Sequence, residues 1–111
     1  MFETSLIELS QSALQRNINF IKKMIGDQIR LSSVIKGNAY GHGIDFFVPM
    51  AEKAGVQHFS VFSADEAFQV IKNRQNGAGV MIMGSIDHEE LLWAISERYI
   101  ICQVFPRILI T

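Results

Sequence analysis

The stretch Val34-Ile35-Lys36-Gly37-Asn38-Ala39-Tyr40-Gly41-His42-Gly43 decides the fold. In it, an apolar segment ends in a lysine and is followed by a glycine-rich loop. Residues 29–36 (Ile-Arg-Leu-Ser-Ser-Val-Ile-Lys) predict a strand, which puts Lys36 at its carboxyl end. Alternation along the strand places Lys36 on the same side as Val34 and opposite Ile35. Parallel α/β folds bind ligands beyond the carboxyl ends of their strands. Lys36 is therefore a candidate site residue.

Strand and helix patterns alternate on both sides of this stretch. Ser63 with Glu66 and Asp87 with Glu90 each predict a capping box, so each marks the start of a helix. Gly26 is placed to end the first helix in the left-handed conformation. The predicted strands are 5–9, 29–36, 58–62, 80–83 and 100–105. The predicted helices are 10–25, one that ends near 54–55 and contains Pro49, and one after each capping box. Pro49 is best tolerated if it lies within the first turn of its helix.

Strands separated by single helices predict parallel βαβ units. Two architectures fit this α/β pattern, an open doubly wound sheet and part of a (β/α)8 TIM barrel. A barrel has eight strand–helix units and typically about 250 residues, whereas this chain of 111 residues supplies roughly four units. In the barrel interpretation, residues 1–111 form one partial domain, the N-terminal part (about half) of the barrel.

Composition narrows the class of protein. Hydrophobic residues make up 49% and charged residues 19%, as in ordinary globular proteins, and the formal net charge is -1. This balance, without a basic patch, predicts no nucleic-acid partner and no membrane partner. The single cysteine, Cys102, excludes an internal disulfide framework and fits a reducing compartment. We therefore expect a cytoplasmic protein, and the isolated His42 predicts no metal site.

The loop after Lys36 carries the chemistry. A lysine amine can form a Schiff base with a carbonyl compound, and glycines leave room for a bound ligand. The loop lacks the Gly-Lys-Ser/Thr ending of a Walker loop and the Gly-x-Gly-x-x-Gly dinucleotide fingerprint. From its local setting alone, a lysine at a strand end is more often solvated than catalytic.

Three segments together resemble a known family. Val34 to Gly43 looks like the cofactor-attachment motif of alanine racemases, which are fold-type III pyridoxal-phosphate enzymes. Ile7-Glu8-Leu9-Ser10-Gln11-Ser12-Ala13-Leu14 resembles the opening strand and first helix of that family. Ser63-Ala64-Asp65-Glu66-Ala67 resembles the start of the helix after the next barrel strand. The segments occur in the family's order, and Gly37 stands where alanine is commoner in the family.

The resemblance implies a role for two residues. Lys36 would form the Schiff base with pyridoxal 5'-phosphate and act as the base on one face of the amino acid. Tyr40 would bind the cofactor phosphate, while His42 would only support the loop. The resemblance also implies a homodimer that racemises alanine for peptidoglycan precursors. A tyrosine from the partner subunit's C-terminal domain would then serve the opposite face.

The chain is expected to be an N-terminal fragment that is inactive alone, because the C-terminal β-domain of the family would lie beyond Thr111. Two other interpretations stay open. One is a non-catalytic protein that binds or carries pyridoxal phosphate on a single barrel. The other is a small open α/β domain unrelated to this cofactor. The run from Tyr40 to Gly43 favours the racemase over the carrier.

Overall fold

A computed structural model describes residues 5–97 and 100–102 of the chain. Helices and parallel strands alternate after the first helix, as the sequence predicts. The helices are α1 (Gln11–Ile25), α2 (Lys36–Tyr40, a single turn), α3 (Ile44–Lys53), α4 (Ala64–Asn73) and α5 (His88–Ser96); the strands are β1 (Ser33–Val34), β2 (His58–Val61), β3 (Gly79–Ile82) and β4 (Ile100–Cys102). Within the described ranges, no helix combines the length and the apolar character needed to cross a membrane.

The four strands form one sheet in the order β1-β2-β3-β4, and every neighbouring pair is parallel. The register places Phe59 opposite Val80, and Val80 opposite Ile100. Each crossover therefore moves one strand further in the same direction. A doubly wound sheet reverses its direction at a switch point, whereas a barrel does not. The strand order favours the barrel interpretation, and it places all the crossover helices on one face of the sheet.

The core lies between this face of the sheet and the helices. Phe59 and Val61 of β2 and Val80 and Ile82 of β3 are fully buried, which the two-residue period of a strand directs to one face. The helices contribute fully buried small residues that allow close packing, namely Val48, Ala51, Ala67 and Val70. The capping boxes predicted at Ser63 and Asp87 both form, so α4 and α5 begin where the sequence indicates.

The predicted strand over residues 5–9 is wrong. These residues are not in a strand, and Leu6 and Ile7 are 74% and 63% exposed. A strand exists only through pairing, and within the described part of the chain no neighbouring strand pairs with this segment. The strand predicted over 29–36 is shorter than expected for a related reason. Its ladder partner β2 meets it only at Ser33 and Val34, with one further bond from the Ile35 amide to the Ser60 carbonyl at 2.9 Å.

Two further boundaries differ in detail from the prediction. Pro49 lies inside α3, as the sequence predicts, but as the sixth residue, beyond the first turn where proline is best tolerated. Its missing N–H therefore leaves one backbone bond inside the helix unmade. Gly26 does end α1 with a positive φ of 78°, but its ψ of -177° is extended rather than left-handed helical. The last predicted strand is confirmed over Ile100–Cys102, and residues 103–105 lie outside the described residues.

A buried carboxylate ties α3 to the turn that follows α4. Glu52 is only 7% exposed, and its two oxygens accept hydrogen bonds from the Gln75 and Asn76 amides at 2.6 and 2.9 Å. We expect Glu52→Ala to lower the free energy of unfolding by about 2 kcal/mol, because two partly buried backbone amides lose a charged acceptor. Glu52→Gln keeps one acceptor oxygen and should lose less. Urea unfolding of the three proteins measures this, and a loss below about 0.5 kcal/mol for Glu52→Ala contradicts it.

Candidate functional site

The chain leaves β1 in a left-handed helical turn. Gly37, Asn38 and Ala39 have φ values of 63°, 54° and 57° with ψ values near 45°, and Tyr40 has a φ of 54°. A left-handed backbone costs an L-residue roughly 1–2 kcal/mol, except at glycine and to a lesser degree at asparagine. Such a turn persists only where its surroundings fix it, and backbone strain of this kind is concentrated at functional sites.

Hydrogen bonds fix the turn from within. The Ala39 amide donates to the Ile35 carbonyl at 2.8 Å, and the Gly41 amide donates to the Gly37 carbonyl at 3.1 Å. The Asn38 side chain connects the turn to the next helix, because its Oδ1 accepts from the Ile44 amide, the first of α3, at 2.9 Å. The turn and the start of α3 are therefore one hydrogen-bonded unit.

The turn is also fixed from the neighbouring strand exit. Glu66, in the first turn of α4, accepts a hydrogen bond from the Gly37 amide at 2.7 Å and a longer one from the Asn38 amide at 3.4 Å through Oε2. Its Oε1 accepts from the Phe62 amide at 2.9 Å and from the Ser63 amide at 3.3 Å. A single carboxylate thus joins the carboxyl ends of β1 and β2.

The turn places the two predicted site residues in one cleft at the carboxyl ends of the strands. Lys36 and Tyr40 both line it, and both side chains are exposed, Tyr40 by 64%. The burial pattern agrees with the alternation expected from the sequence, since Ile35 belongs to the core while Val34 is exposed. The cleft has a volume of about 510 Å³ and is lined by Lys36, Gly37, Tyr40, Phe62, Ser63 and Glu66.

Two residues of this cleft are not among the site residues predicted from the sequence. The sequence indicates Glu66 only as the end of a capping box, and Phe62 only as the last residue of a strand. The Phe62 side chain is 58% exposed and lines the cleft. Its place directly after β2, level with Lys36 after β1, is the signal that could have identified it. His42 lies elsewhere, in a groove with Ile7, Leu9, Phe46 and Met50.

Further down the sheet, polar side chains form a small hydrogen-bonded cluster. His58 Nδ1 lies 2.7 Å from Ser32 Oγ, which in turn lies 2.6 Å from Ser60 Oγ. His58 is 7% exposed and Ser60 is 2% exposed. Burial, and secondarily the positive charge of Arg30, lower the pKa of His58 below its ordinary value. Burial disfavours the charged imidazolium in the folded chain.

This lowered pKa predicts that acid destabilises the chain. Below about pH 6.5 the unfolded chain binds a proton at His58 more readily than the folded chain does. The free energy of unfolding should therefore fall as the pH drops through this value, and the fall should stop once the folded histidine is also protonated. His58→Gln should flatten this dependence. Urea unfolding at a series of pH values measures both slopes, and equal slopes for the two proteins contradict the assignment.

No group of three or more His, Cys, Asp or Glu side chains able to hold a metal ion occurs among residues 5–97 and 100–102. The cleft offers the amine of Lys36 and the phenol of Tyr40. An accessible lysine amine beside a phenolic hydroxyl can bind a carbonyl compound that also carries an anionic group.

Comparison with known proteins identifies relatives of this arrangement. Residues 9–105 match the family profile described as alanine racemase, N-terminal domain. An alanine racemase of Leptospira interrogans is 32% identical over 87 residues, which are 78% of this chain and 22% of that protein. The chain thus spans about a fifth of the length of the curated relatives it matches.

Solved structures agree with the sequence match. The alanine racemase of Oenococcus oeni superimposes with a TM-score of 0.75 at 28% identity, over 87% of this chain and 26% of that one. An alanine racemase of Bartonella henselae, described with covalently bound pyridoxal phosphate, gives a TM-score of 0.67 at 25% identity, over 78% and 24% of the two chains. These likenesses confirm the fold prediction, the N-terminal part of a (β/α)8 barrel, over the open doubly wound sheet.

Proposed function

The chain belongs to the alanine racemase N-terminal domain family, and from this we propose that it supplies the cofactor-lysine part of a pyridoxal-phosphate-dependent racemase that interconverts L-alanine and D-alanine. One observation carries the proposal. The left-handed turn brings Lys36 and Tyr40 into one cleft at the carboxyl ends of the strands, where a parallel barrel places its chemistry.

The residues of the cleft fit this cofactor. The Lys36 amine suits the cofactor's aldehyde, and the Tyr40 hydroxyl can donate a hydrogen bond to a phosphate oxygen. The exposed Phe62 ring offers an apolar wall for a flat heterocycle. A volume of about 510 Å³ lies within the range of small-molecule sites. The relative from Bartonella henselae, with covalently bound pyridoxal phosphate, supports the assignment.

Each residue has a separate task in the proposed reaction. When bound, the cofactor supplies a conjugated ring that accepts the electron pair left at the amino acid's α-carbon. The Lys36 amine takes the α-proton on one face and can return it there. Tyr40 holds the phosphate end, and the hydrogen-bonded turn fixes the backbone that carries both residues.

Racemisation also needs a proton donor on the opposite face. Among the described residues of the cleft, Tyr40 is assigned to the phosphate and the Glu66 oxygens are occupied by backbone amides. From the resemblance to alanine racemases we propose that the opposite group is a tyrosine from the C-terminal domain of a second subunit, so that the active form is a homodimer. In this proposal residues 1–111 are part of the N-terminal barrel domain that binds pyridoxal phosphate, and a C-terminal β-domain lies outside them.

The proposal includes the protein's setting. Its substrate would be free alanine, and its product would supply cell-wall precursors in the cytoplasm. The single cysteine supports a reducing compartment, and the net charge of -1 supports the absence of nucleic-acid partners. A non-catalytic carrier of pyridoxal phosphate is the competing function, because the described part of the cleft offers one amine for proton transfer.

Deuterium exchange at the α-carbon of alanine separates the two functions. The purified chain is mixed with pyridoxal phosphate and with either enantiomer of alanine in heavy water, and proton NMR follows loss of the α-proton signal. Exchange faster than with free cofactor, at least for one enantiomer, supports the racemase, because Lys36 alone serves one face. A racemase fragment that cannot interconvert the enantiomers alone should still accelerate exchange on the Lys36 face, so saturable binding of the cofactor without accelerated exchange favours the carrier. Chiral chromatography of the same samples reports any interconversion.

A further inference from the structure

Glu66 makes more hydrogen bonds than its helix needs. A capping box requires the glutamate to accept only from the N-cap amide, here that of Ser63. Glu66 meets this need with Oε1 and directs Oε2 away from its own helix, to the amides of Gly37 and Asn38. These two donors lie 29 and 28 residues away in the sequence, at the start of the left-handed turn.

Glu90 shows what a capping glutamate does without this second task. It forms the same box with Asp87 at the start of α5, accepting from the Asp87 amide at 3.0 Å. In the described ranges, Glu90 accepts no bond from the exit of a neighbouring strand. The two glutamates therefore share local chemistry and position in their helices. They differ in whether the second oxygen reaches the chain that carries the lysine.

We propose that Glu66 is the positioning residue of the cofactor site, acting through the backbone of the left-handed turn rather than on the substrate. Its Oε2 holds the Gly37 amide, next to the lysine, and so fixes the direction in which the chain leaves β1. Three non-glycine residues then follow with positive φ, the last of which is Tyr40. Releasing the Gly37 amide lets this unfavourable backbone relax, which moves Lys36 and Tyr40 apart. The inference rests on the proposed function.

The decisive variant is Glu66→Gln, with Glu90→Gln as its matched control. A glutamine has one acceptor oxygen, so its amide nitrogen must face one of the two pairs of backbone donors. We expect the oxygen to keep the cap, and the Gly37 amide to lose its acceptor. A hydrogen bond to a charged acceptor contributes enough to change an equilibrium by about tenfold or more. Glutamine also serves at this position of a capping box, so the thermal stability of Glu90→Gln should stay close to that of the wild-type chain. Glu66→Gln should melt at a lower temperature, because the Gly37 and Asn38 amides lose their acceptor.

Two measurements on the full chain test the proposal, both well below the melting temperatures. The first is amide hydrogen exchange by NMR, without cofactor. Exchange at Gly37 should become about tenfold faster in Glu66→Gln and stay unchanged in Glu90→Gln. The second is borohydride trapping of pyridoxal phosphate followed by peptide mapping. The share of adduct found on Lys36 relative to the other four lysines should fall in Glu66→Gln alone.

The outcomes are distinguishable. Faster exchange at Gly37 together with lost selectivity for Lys36, both confined to Glu66→Gln, supports the positioning role. Unchanged exchange at Gly37 overturns it, and so does faster exchange with full selectivity for Lys36. Equal effects in Glu90→Gln also overturn it, because they would show a loss of general stability. If the wild-type chain shows no preference for Lys36, the proposed function fails instead, and the exchange comparison still decides whether Glu66 holds the turn.

Discussion

In Lys36→Ala, we expect the saturable binding of pyridoxal phosphate through residue 36 to disappear. The rate of α-proton exchange of alanine should fall by about 10²–10⁴-fold, which is the usual contribution of a positioned base. The side chain is exposed, so its removal leaves the core intact. Thermal stability should accordingly match that of the wild-type chain. The measurements are an absorption titration with the cofactor, peptide mapping after borohydride reduction, and proton NMR in heavy water.

Matched lysine variants make this result specific. Lys53→Ala removes another exposed lysine, at the end of α3 and outside the cleft, and should leave the titration unchanged. Lys36→Arg keeps the positive charge but cannot form the covalent link, because a guanidinium does not lose its proton in proteins. It should therefore behave like Lys36→Ala. If Lys36→Ala still binds pyridoxal phosphate like the wild-type chain, the assignment of the cofactor lysine is wrong. If Lys36→Arg still binds the cofactor, the binding is only electrostatic.

The parts of the fold that depend on local chemistry could be predicted from the sequence. Ser63 with Glu66 and Asp87 with Glu90 start α4 and α5 where expected, because a capping box is complete within four residues. The parallel arrangement also follows from the sequence, since a single helix between strands leaves little other choice. The meeting of Lys36 and Tyr40 in one cleft follows from their place after β1.

The parts that depend on distant partners could not be predicted. Residues 5–9 have a strand's pattern but no strand beside them within the described residues. The conformation of the loop after Lys36 is a clearer case. Gly37 signals a positive φ, but Ala39 and Tyr40 are residues that avoid one. They adopt it because Glu66 and Asn38 bond the two ends of the turn, and the first of these bonds spans 29 residues.

The same dependence on distant contacts makes Gly84 a sensitive position. It follows β3, is buried, and donates its amide to the Phe62 carbonyl at 2.9 Å. A Cβ placed on Gly84 would lie 2.4 Å from that carbonyl oxygen and 3.0 Å from the Phe62 ring. The oxygen cannot yield without disturbing the β2–β3 ladder, in which the neighbouring Met83 amide bonds the Val61 carbonyl at 2.8 Å. Gly84 therefore sets the position of Phe62, and through it one wall of the cleft.

We expect Gly84→Ala to lower the free energy of unfolding by about 3 kcal/mol, the upper end of the range for overpacking, because the nearest obstacle is backbone. It should also weaken cofactor binding, since Phe62 must shift. Gly77→Ala is the control, because Gly77 has a φ of 69° and open space around its Cβ. Gly77→Ala should lower the free energy of unfolding by about 1–2 kcal/mol, through its backbone conformation alone. Its binding of the cofactor should not change. Urea unfolding of both variants measures the free energy of unfolding, and titration with pyridoxal phosphate measures cofactor binding. A smaller loss for Gly84→Ala than for Gly77→Ala would mean that the Phe62 carbonyl can move freely, and that the wall of the cleft is not fixed by this contact.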